Sequence, residues 1–236
     1  APALCEAPLQ YAVIDITDRQ VQSRTEQLKL PEEYALCDRH VHTQFAYCAE
    51  DITLSKGLDL AGHFGLAGIG FAEHAEHLYL DRTTLGRREF LTKCLAVCLN
   101  KNDNRMEDYF ALARQCHVPT ACMGLEVEVD LHGNLVLTDS DRDRVGYFIG
   151  AVHSVPSPTG GELNEHDFGQ RFLWHTQKLL EHGVTVLAHP FRAFGRAGYD
   201  MPTERFGAMI DLLRQYRTTA VEVNFHTNDP SVAFIQ

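Results

Sequence analysis

The sequence lacks any apolar run of the length that a membrane-spanning helix requires. Its first residues also lack the basic segment and apolar core that mark a secretory signal. We therefore expect no membrane partner and a cytoplasmic location. No Cys-x-x-Cys pair is present, and the seven cysteines are odd in number and irregular in spacing, which excludes a disulfide framework.

Three common catalytic motifs are also missing: a Gly-x-Ser-x-Gly nucleophile turn, a phosphate-binding P-loop and a His-Glu-x-x-His zinc helix. Positive charge is scarce, because 21 Lys and Arg face 32 Asp and Glu and give a formal net charge of −11. This balance argues against bulk electrostatic binding of DNA or RNA. The sequence contains 13 histidines, which is an unusually large number, so their positions were compared with those of metal ligands.

The sequence alternates short apolar strands with helices. We predict strands near residues 34–42, 66–72, 120–129, 147–152, 183–188 and 219–224. We predict helices over 53–64, 84–116 with a break at 100–104, 165–181 and 202–216. The first helix is expected to begin after an N-cap at Asp51 or Thr53 and to end near Gly65. This alternation is typical of parallel βα units in a barrel or an open sheet.

A pair of histidines stands at the end of the first strand of this pattern. Residues two apart in a strand point to the same side, so His40 and His42 are expected to face one site. Two neighbouring imidazoles can bind a transition metal through neutral nitrogens. Taken alone, the pair is equally well explained as solvated or core histidines.

Other candidate ligands occupy the same kind of position. His74, Glu126, His153 and His189 each stand at or near the C-terminal end of a predicted strand. Parallel strands bring those ends to one face of a barrel or sheet, where sites form. Structural histidines would not be expected to select strand ends so consistently. We therefore predict a site for several metal ions, for which zinc, iron or manganese is suitable.

Five short motifs occur in an order that resembles the PHP (polymerase and histidinol phosphatase) superfamily of metal-dependent phosphoesterases. They are Asp38-Arg39-His40-Val41-His42-Thr43, Ala72-Glu73-His74, Gly124-Leu125-Glu126, Ala151-Val152-His153-Ser154 and Ala188-His189-Pro190. Each is weak alone, and their order and strand context give the resemblance its weight. It implies an α/β fold over residues 34–236: a distorted (β/α)7 TIM-like barrel with two or three divalent metal ions at the C-terminal ends of the strands. Residues 1–33 are then an N-terminal extension, with a short strand at 11–16 and a helix at 17–30.

The resemblance also assigns roles to individual residues. His40 and His42 match the ligands of a first metal. Glu126 matches a carboxylate that bridges the first and second metals. His153 and His189 match the remaining protein ligands of the second metal.

A third metal has a less complete set of ligands. His74 matches one of them, and Cys48 stands where several three-metal members have a histidine. A thiolate binds zinc or iron, but a cysteine can equally pack in a core as a small apolar residue. Occupancy of the third metal position is therefore left open.

Two further side chains are expected close to the centre. Arg192, three residues after His189, is placed to reach a substrate phosphate. Glu73 is expected either to orient a ligand histidine or simply to stand at a helix start. Surface, packing or helix-end positions are expected for His63, His77, His132, His166, His175, His182 and His226.

The family pattern ends with a Gly-Ser-Asp-x-His-like strand that supplies two more ligands. The sequence reaches Gln236 without such a motif, and the residues from Val221 to Asn224 resemble the strand just before it. We therefore expect that the native chain continues.

These features predict a metal-dependent phosphoesterase that hydrolyses a small phosphomonoester, histidinol phosphate being the family example. The acidic charge and the lack of a basic track favour a small phosphorylated substrate over nucleic acid. One alternative is a nuclease or nucleotide phosphatase that acts on short oligonucleotides. Another is a metal-binding module without catalysis. The oligomeric state is left open.

Overall fold

A computed structural model describes residues 35–49, 51–100, 103–224 and 229–236. The expected extension at 1–33, with its strand and helix, lies outside these ranges, as does His226. The described strands form one parallel sheet: β1 (Cys37–Val41), β2 (Gly68–His74), β3 (Ala121–Val127), β4 (Phe148–Gly150), β5 (Val186–Leu187) and β6 (Ala220–Val221). Every strand pairs with the next one in the sequence. The sheet is therefore wound in one direction, as in a barrel, and has no reversal of strand order.

The two edge strands approach each other at their carboxyl ends. Nδ1 of His40, in β1, lies 2.9 Å from Oε1 of Glu222, the residue that follows β6. A flat sheet with strands about 4.8 Å apart would separate these edges by about 24 Å. The sheet is therefore curled into a half-barrel. The predicted α/β class with a parallel sheet is confirmed.

Glycines open space inside the curled sheet for one aromatic side chain. A Cβ atom at Gly124 would lie 2.5 Å from the Tyr147 ring, and one at Gly70 would lie 2.5 Å from its hydroxyl. Since β2 and β3 have no side chain at these points, the Tyr147 ring lies directly over their backbones.

Helices connect the strands and cover the sheet. In chain order they are α1 (Leu54–Phe64), α2 (Ala75–Tyr79), α3 (Arg82–Arg87), α4 (Phe90–Lys93), α5 (Leu95–Cys98), α6 (Met106–Gln115), α7 (Asp139–Arg142), α8 (Glu165–Glu181), α9 (Arg192–Ala197), α10 (Phe206–Gln215) and α11 (Val232–Ile235), with a 3-10 turn at Thr203–Arg205. Within the described part of the chain, none of these helices combines the length and the apolar character needed to cross a lipid bilayer.

Two helices have the bounds that the sequence predicted. α1 is capped by Thr53, whose hydroxyl accepts from the Lys56 backbone N–H at 3.2 Å, and it ends at Gly65 with a φ of 71°. α8 covers the predicted residues 165–181, and the side chain of Asn164 caps it by accepting from the Asp167 N–H at 2.9 Å. Local capping residues were sufficient to predict α1, and an amphipathic pattern was sufficient to predict α8.

The predicted helix over 84–116 is confirmed after its break at 100–104, where α6 runs from Met106 to Gln115. Its first part is wrong in detail, because the chain there forms the three short helices α3, α4 and α5 instead of one helix. The chain turns at Arg88 and Cys94, where φ is 53° and 69°. These turns bring Phe90 and Leu95 into the main core, although a separation of five residues does not fit one face of a straight helix.

Five of the six described strands are shorter than predicted, and the last three keep only two or three residues each, because residues at their ends leave the ladder. β4, β5 and β6 end before the residues that face the site. Single backbone hydrogen bonds continue beyond them: Ala151 N–H donates to Val127 O at 3.0 Å, and Ala188 N–H donates to Gly150 O at 2.9 Å. These residues therefore still follow the sheet while His153 and His189 reach the carboxyl-terminal opening.

Candidate metal centre

One buried carboxylate lies at the middle of the carboxyl-terminal end of the sheet. Glu126, in β3, is 1% exposed. Five imidazole nitrogens surround its two oxygens: His40 Nε2 at 3.1 Å, His42 Nε2 at 3.7 Å, His74 Nδ1 at 2.9 Å, His153 Nε2 at 3.2 Å and His189 Nε2 at 3.1 Å. The structure therefore brings together Glu126 and all five histidines that the sequence proposed as ligands.

The strands position these side chains by their register. His74 is the last residue of β2 and pairs directly with Glu126 of β3. His40 lies in β1, where the pairing with β2 is irregular between Asp38 and Val41, and His42 follows immediately. Because all the strands are parallel, each delivers its side chain to the same end of the sheet.

Three sets of side chains have the spacing required to hold a metal ion. They are His40, Glu126 and His189; His74, Glu76 and His153; and His42, Cys48 and His74. Within each set, one ligand atom per residue lies within 4.8 Å of the others. Neutral imidazole, carboxylate and thiolate are ligands of zinc and iron, and the first two also suit manganese. Cys48 is exposed and lies beside two histidines, so it is not a core residue.

The hydrogen bonding of these buried groups is incomplete. Among the described residues, no partner with hydrogen-bond geometry is present for His42 Nδ1, His74 Nδ1, Glu76 Oε2, Glu126 Oε2, His153 Nε2 and His189 Nδ1, although some of these atoms lie close to one another. Buried polar atoms are nearly always satisfied, so several neighbouring exceptions require an explanation. Metal ions would engage such lone pairs, and the residues present therefore fit a metal centre.

Carboxylates outside the central group hold the histidine rings in place. Glu222 contacts His40 Nδ1 and also accepts from the His189 backbone N–H at 2.7 Å. Glu128 contacts Nδ1 of His153, the nitrogen on the opposite side of the ring from Glu126. Such contacts fix the orientation of a ligand ring and raise its basicity.

Glu73 acts in the same way on the first histidine pair. It accepts from Thr43 N–H at 2.9 Å and Thr43 Oγ1 at 2.6 Å, and its other oxygen lies 3.4 Å from His42 Nδ1. Of the two roles expected for Glu73, its contact with His42 agrees with the orienting one.

The charges of this cluster are strongly coupled. Burial lowers the pKa of His40, but Glu126 and Glu222 outweigh burial and raise that pKa to about 10. The pKa of His153 rises to about 9 against burial, because Glu126 and Glu128 stabilise its cation. Burial dominates at His189 and lowers its pKa to about 4. Metal ligation requires neutral imidazoles, so metal binding at neutral pH must displace protons from His40 and His153.

A cavity of about 630 Å³ opens beside this cluster. Arg192, the first residue of α9, lines it together with His153 and Ser154. The predicted position of Arg192 beside the histidines therefore agrees with the structure.

Sequence reasoning missed three residues of the site. Glu76 and His77 lie on α2, a helix that was not predicted, and the His77 ring is 4.3 Å from that of His74. Glu222 stands in a segment read only as a strand. The available signals were the second carboxylate and histidine after Glu73-His74, and a buried acidic residue just after an apolar strand.

The other histidines are placed mainly as expected. His132 and His166 are exposed, and His175 is buried in α8. His63 lies in the last turn of α1, and His182 follows α8 and contacts the carbonyl oxygen of Gly133 at 2.8 Å.

Searches of protein-family models and of curated protein sequences gave no match to this chain. Its function must therefore be inferred from its own residues.

Proposed function

We propose that this chain is a metal-dependent hydrolase of phosphate esters that acts on small phosphomonoesters. The supporting observation is the buried Glu126 carboxylate, which is surrounded by five imidazoles whose lone pairs are not all satisfied. The half-barrel and the position of the site at the strand ends suit the distorted (β/α)7 barrel that the PHP resemblance implies.

The proposed centre holds two or three divalent ions, with zinc, manganese or iron as candidates. His40, Glu126 and His189 would hold one ion, and His153 with Glu76 and His74 a second; a third would lie at His42 and Cys48. When bound, such ions acidify a water molecule and neutralise charge on phosphoryl oxygens.

The protein contributes fixed charge and orientation to this chemistry. Glu126 places one negative charge between the histidine sets, which reduces repulsion between cations held close together. Glu222 and Glu128 keep the rings of His40 and His153 aligned. Arg192 lines the cavity and is proposed to bind a phosphoryl oxygen of the substrate.

Two observations support a small substrate. The site opens into one cavity of about 630 Å³, within the range of small-molecule pockets. The net charge of −11 also disfavours long contact with a nucleic-acid backbone.

The test is a hydrolysis screen on the full chain after metal-replete expression, which measures phosphate released from monoesters, p-nitrophenol released from the diester and shortened products from oligonucleotides. The substrates are p-nitrophenyl phosphate, histidinol phosphate, sugar phosphates, bis(p-nitrophenyl) phosphate and short oligonucleotides. We expect turnover of the monoesters. Cleavage of only the diester and the oligonucleotides would instead assign a nuclease. A protein that binds metal but hydrolyses none of these substrates would contradict catalysis and favour a metal-binding module.

A further inference from the structure

Several arginines line the mouth of the site cavity, although the protein as a whole has a net charge of −11. Arg88, which follows α3, and Arg192 and Arg196 of α9 line the same cavity as the histidines. Arg192 and Arg196 are four residues apart, so they are neighbours on one side of the helix. Like charges at this spacing are destabilising unless something compensates them.

Two carboxylates, Glu76 and Glu128, also line the cavity, but each pairs with a site histidine. Among the described residues, Arg144, Arg205 and Arg214 have ion pairs, but no carboxylate oxygen lies within 4 Å of the guanidinium groups of Arg88 and Arg196. Partial burial lowers the pKa of Arg196, and the charges of Arg192 and Arg88 add to this lowering, while the Glu128 and Glu126 carboxylates oppose it without forming an ion pair with Arg196. The three guanidinium groups therefore repel one another, and no carboxylate of the described residues is in direct contact with Arg88 or Arg196.

The turn that carries Arg88 also supplies an apolar wall. Leu85, Phe90 and Leu91 line the cavity beside it. Arg88 itself has a φ of 53°, a left-handed conformation that is unusual for a residue other than glycine. The mouth thus combines positive charge with an apolar surface against which a short carbon skeleton can pack.

A single phosphoryl group does not account for this arrangement. Its oxygens would be met by the metal centre and by Arg192, which leaves Arg88 and Arg196 without an anion. We propose that Arg88 and Arg196 form a second anion subsite, so that the preferred substrate is a small phosphomonoester that bears a second phosphate or a carboxylate. This inference rests on the proposed function and narrows its substrate class.

Matched substrates test the subsite. Glycerol 3-phosphate and 3-phosphoglycerate share a phosphomonoester and differ by a carboxylate. Fructose 1-phosphate and fructose 1,6-bisphosphate differ by a second phosphate. We expect kcat/KM to be at least about tenfold higher for the doubly anionic member of one pair, since a hydrogen bond to a charged group contributes about 1.5–3 kcal/mol. The pair with the larger ratio identifies the second anion as carboxylate or phosphate.

Variants without these charges test whether Arg88 and Arg196 cause the preference for a second anion. In Arg88→Gln and Arg196→Gln, KM for the doubly anionic substrate should rise about tenfold to a hundredfold. Turnover of p-nitrophenyl phosphate, which has no second anion, should stay within about twofold of the parent's. Arg87→Gln is the matched control, because Arg87 is exposed, adjacent to Arg88 and does not line the cavity.

The outcomes separate this inference from the proposed function. Equal kcat/KM within both pairs, or equal losses on both members in the variants, would overturn the second subsite while leaving the hydrolase intact. If no substrate is hydrolysed, the proposed function fails, and the second subsite is then tested by binding. Calorimetry measures the affinity of the metal-loaded protein for 3-phosphoglycerate, glycerol 3-phosphate and both fructose phosphates. Tighter binding of a doubly anionic member that Arg88→Gln and Arg196→Gln abolish would support the subsite, and equal affinities would overturn it.

Discussion

The two ends of the curled sheet use polar side chains in opposite ways. At the amino-terminal end, Arg39 donates to Cys122 Sγ at 2.8 Å and the Tyr147 hydroxyl donates to the Arg39 carbonyl at 3.0 Å. At the carboxyl-terminal end, Glu126 and His153 retain buried atoms without hydrogen bonds among the described residues. The polar groups named at the first end pair with each other, whereas those at the second end have the spacing to hold metal ions.

This difference gives a physical criterion for a site. A polar group that finds its partner within the fold is explained by the free energy of folding, because burying it unpaired would cost about 1–3 kcal/mol. Several buried lone pairs that lie close together without partners indicate instead a binding site for a ligand. The predictions below test whether the two ends differ in this way.

The largest expected effect is on turnover in Glu126→Gln. The amide keeps the size of the side chain but removes the negative charge shared by five histidines, so we expect turnover to fall by a factor on the order of 1,000. Phosphate release and bound metal should both decrease, and circular dichroism should show an unchanged fold.

Glu128→Gln is the matched control for this loss. Glu128 contacts only His153 among the site histidines in the described residues, so the loss should be smaller, on the order of tenfold to a hundredfold. Near-parental turnover in folded Glu126→Gln would show that the bridging position is wrong.

Metal removal should produce the next largest effect. We expect at least two transition-metal ions per chain by elemental analysis. A chelator should lower the free energy of unfolding by about 2.7 kcal/mol or more, the value for a ligand present at 100 times its Kd. Urea unfolding with and without chelator measures this change, and Glu126→Gln should show a smaller difference. Less than one tightly bound metal ion per chain would contradict the centre.

His175 is a buried core histidine, and its titration can be compared with that of the site histidines. Burial lowers its pKa to about 4, below an unfolded value of about 6.5. Between these values the unfolded chain binds more protons, so the free energy of unfolding falls as the pH is lowered. This stability is present above about pH 6.5 and is lost as the pH falls towards 4, by up to about 3 kcal/mol.

The variant His175→Gln should therefore lose less stability between pH 7 and pH 4.5 than the parent. Chemical unfolding of the metal-free proteins at several pH values measures the difference. His132→Gln, a change at an exposed position, should follow the parent curve. Equal slopes for the parent and His175→Gln would show that His175 does not titrate in this way.

The smallest effect is expected at the satisfied end. Tyr147→Phe removes the hydrogen bond to the Arg39 carbonyl but keeps the ring over Gly124, so the free energy of unfolding should fall by about 1 kcal/mol. Its metal content should equal that of the parent. Loss of metal in this variant would show that the two ends are not independent.

Much of the central group could be predicted because strand ends are local features. His40, His74 and Glu126 each follow a short apolar run, and parallel pairing brings such ends together without further information. The helices α1 and α8 were predicted for a similar reason, since the cap of α1 and the amphipathic pattern of α8 are local features. The segment between His74 and α6 was not, because its apolar residues follow the shape of the core and have no helical period.

The sequence by itself determined the α/β class and the six predicted ligands at the strand ends, because alternation and register depend on neighbouring residues. Only the tertiary structure placed Glu222 against His40, 182 residues away, and brought Arg88 to the same cavity as Arg196. Those contacts depend on the curl of the whole sheet and on the path of the short helices. Both arise from the packing of distant segments, for which no local pattern exists.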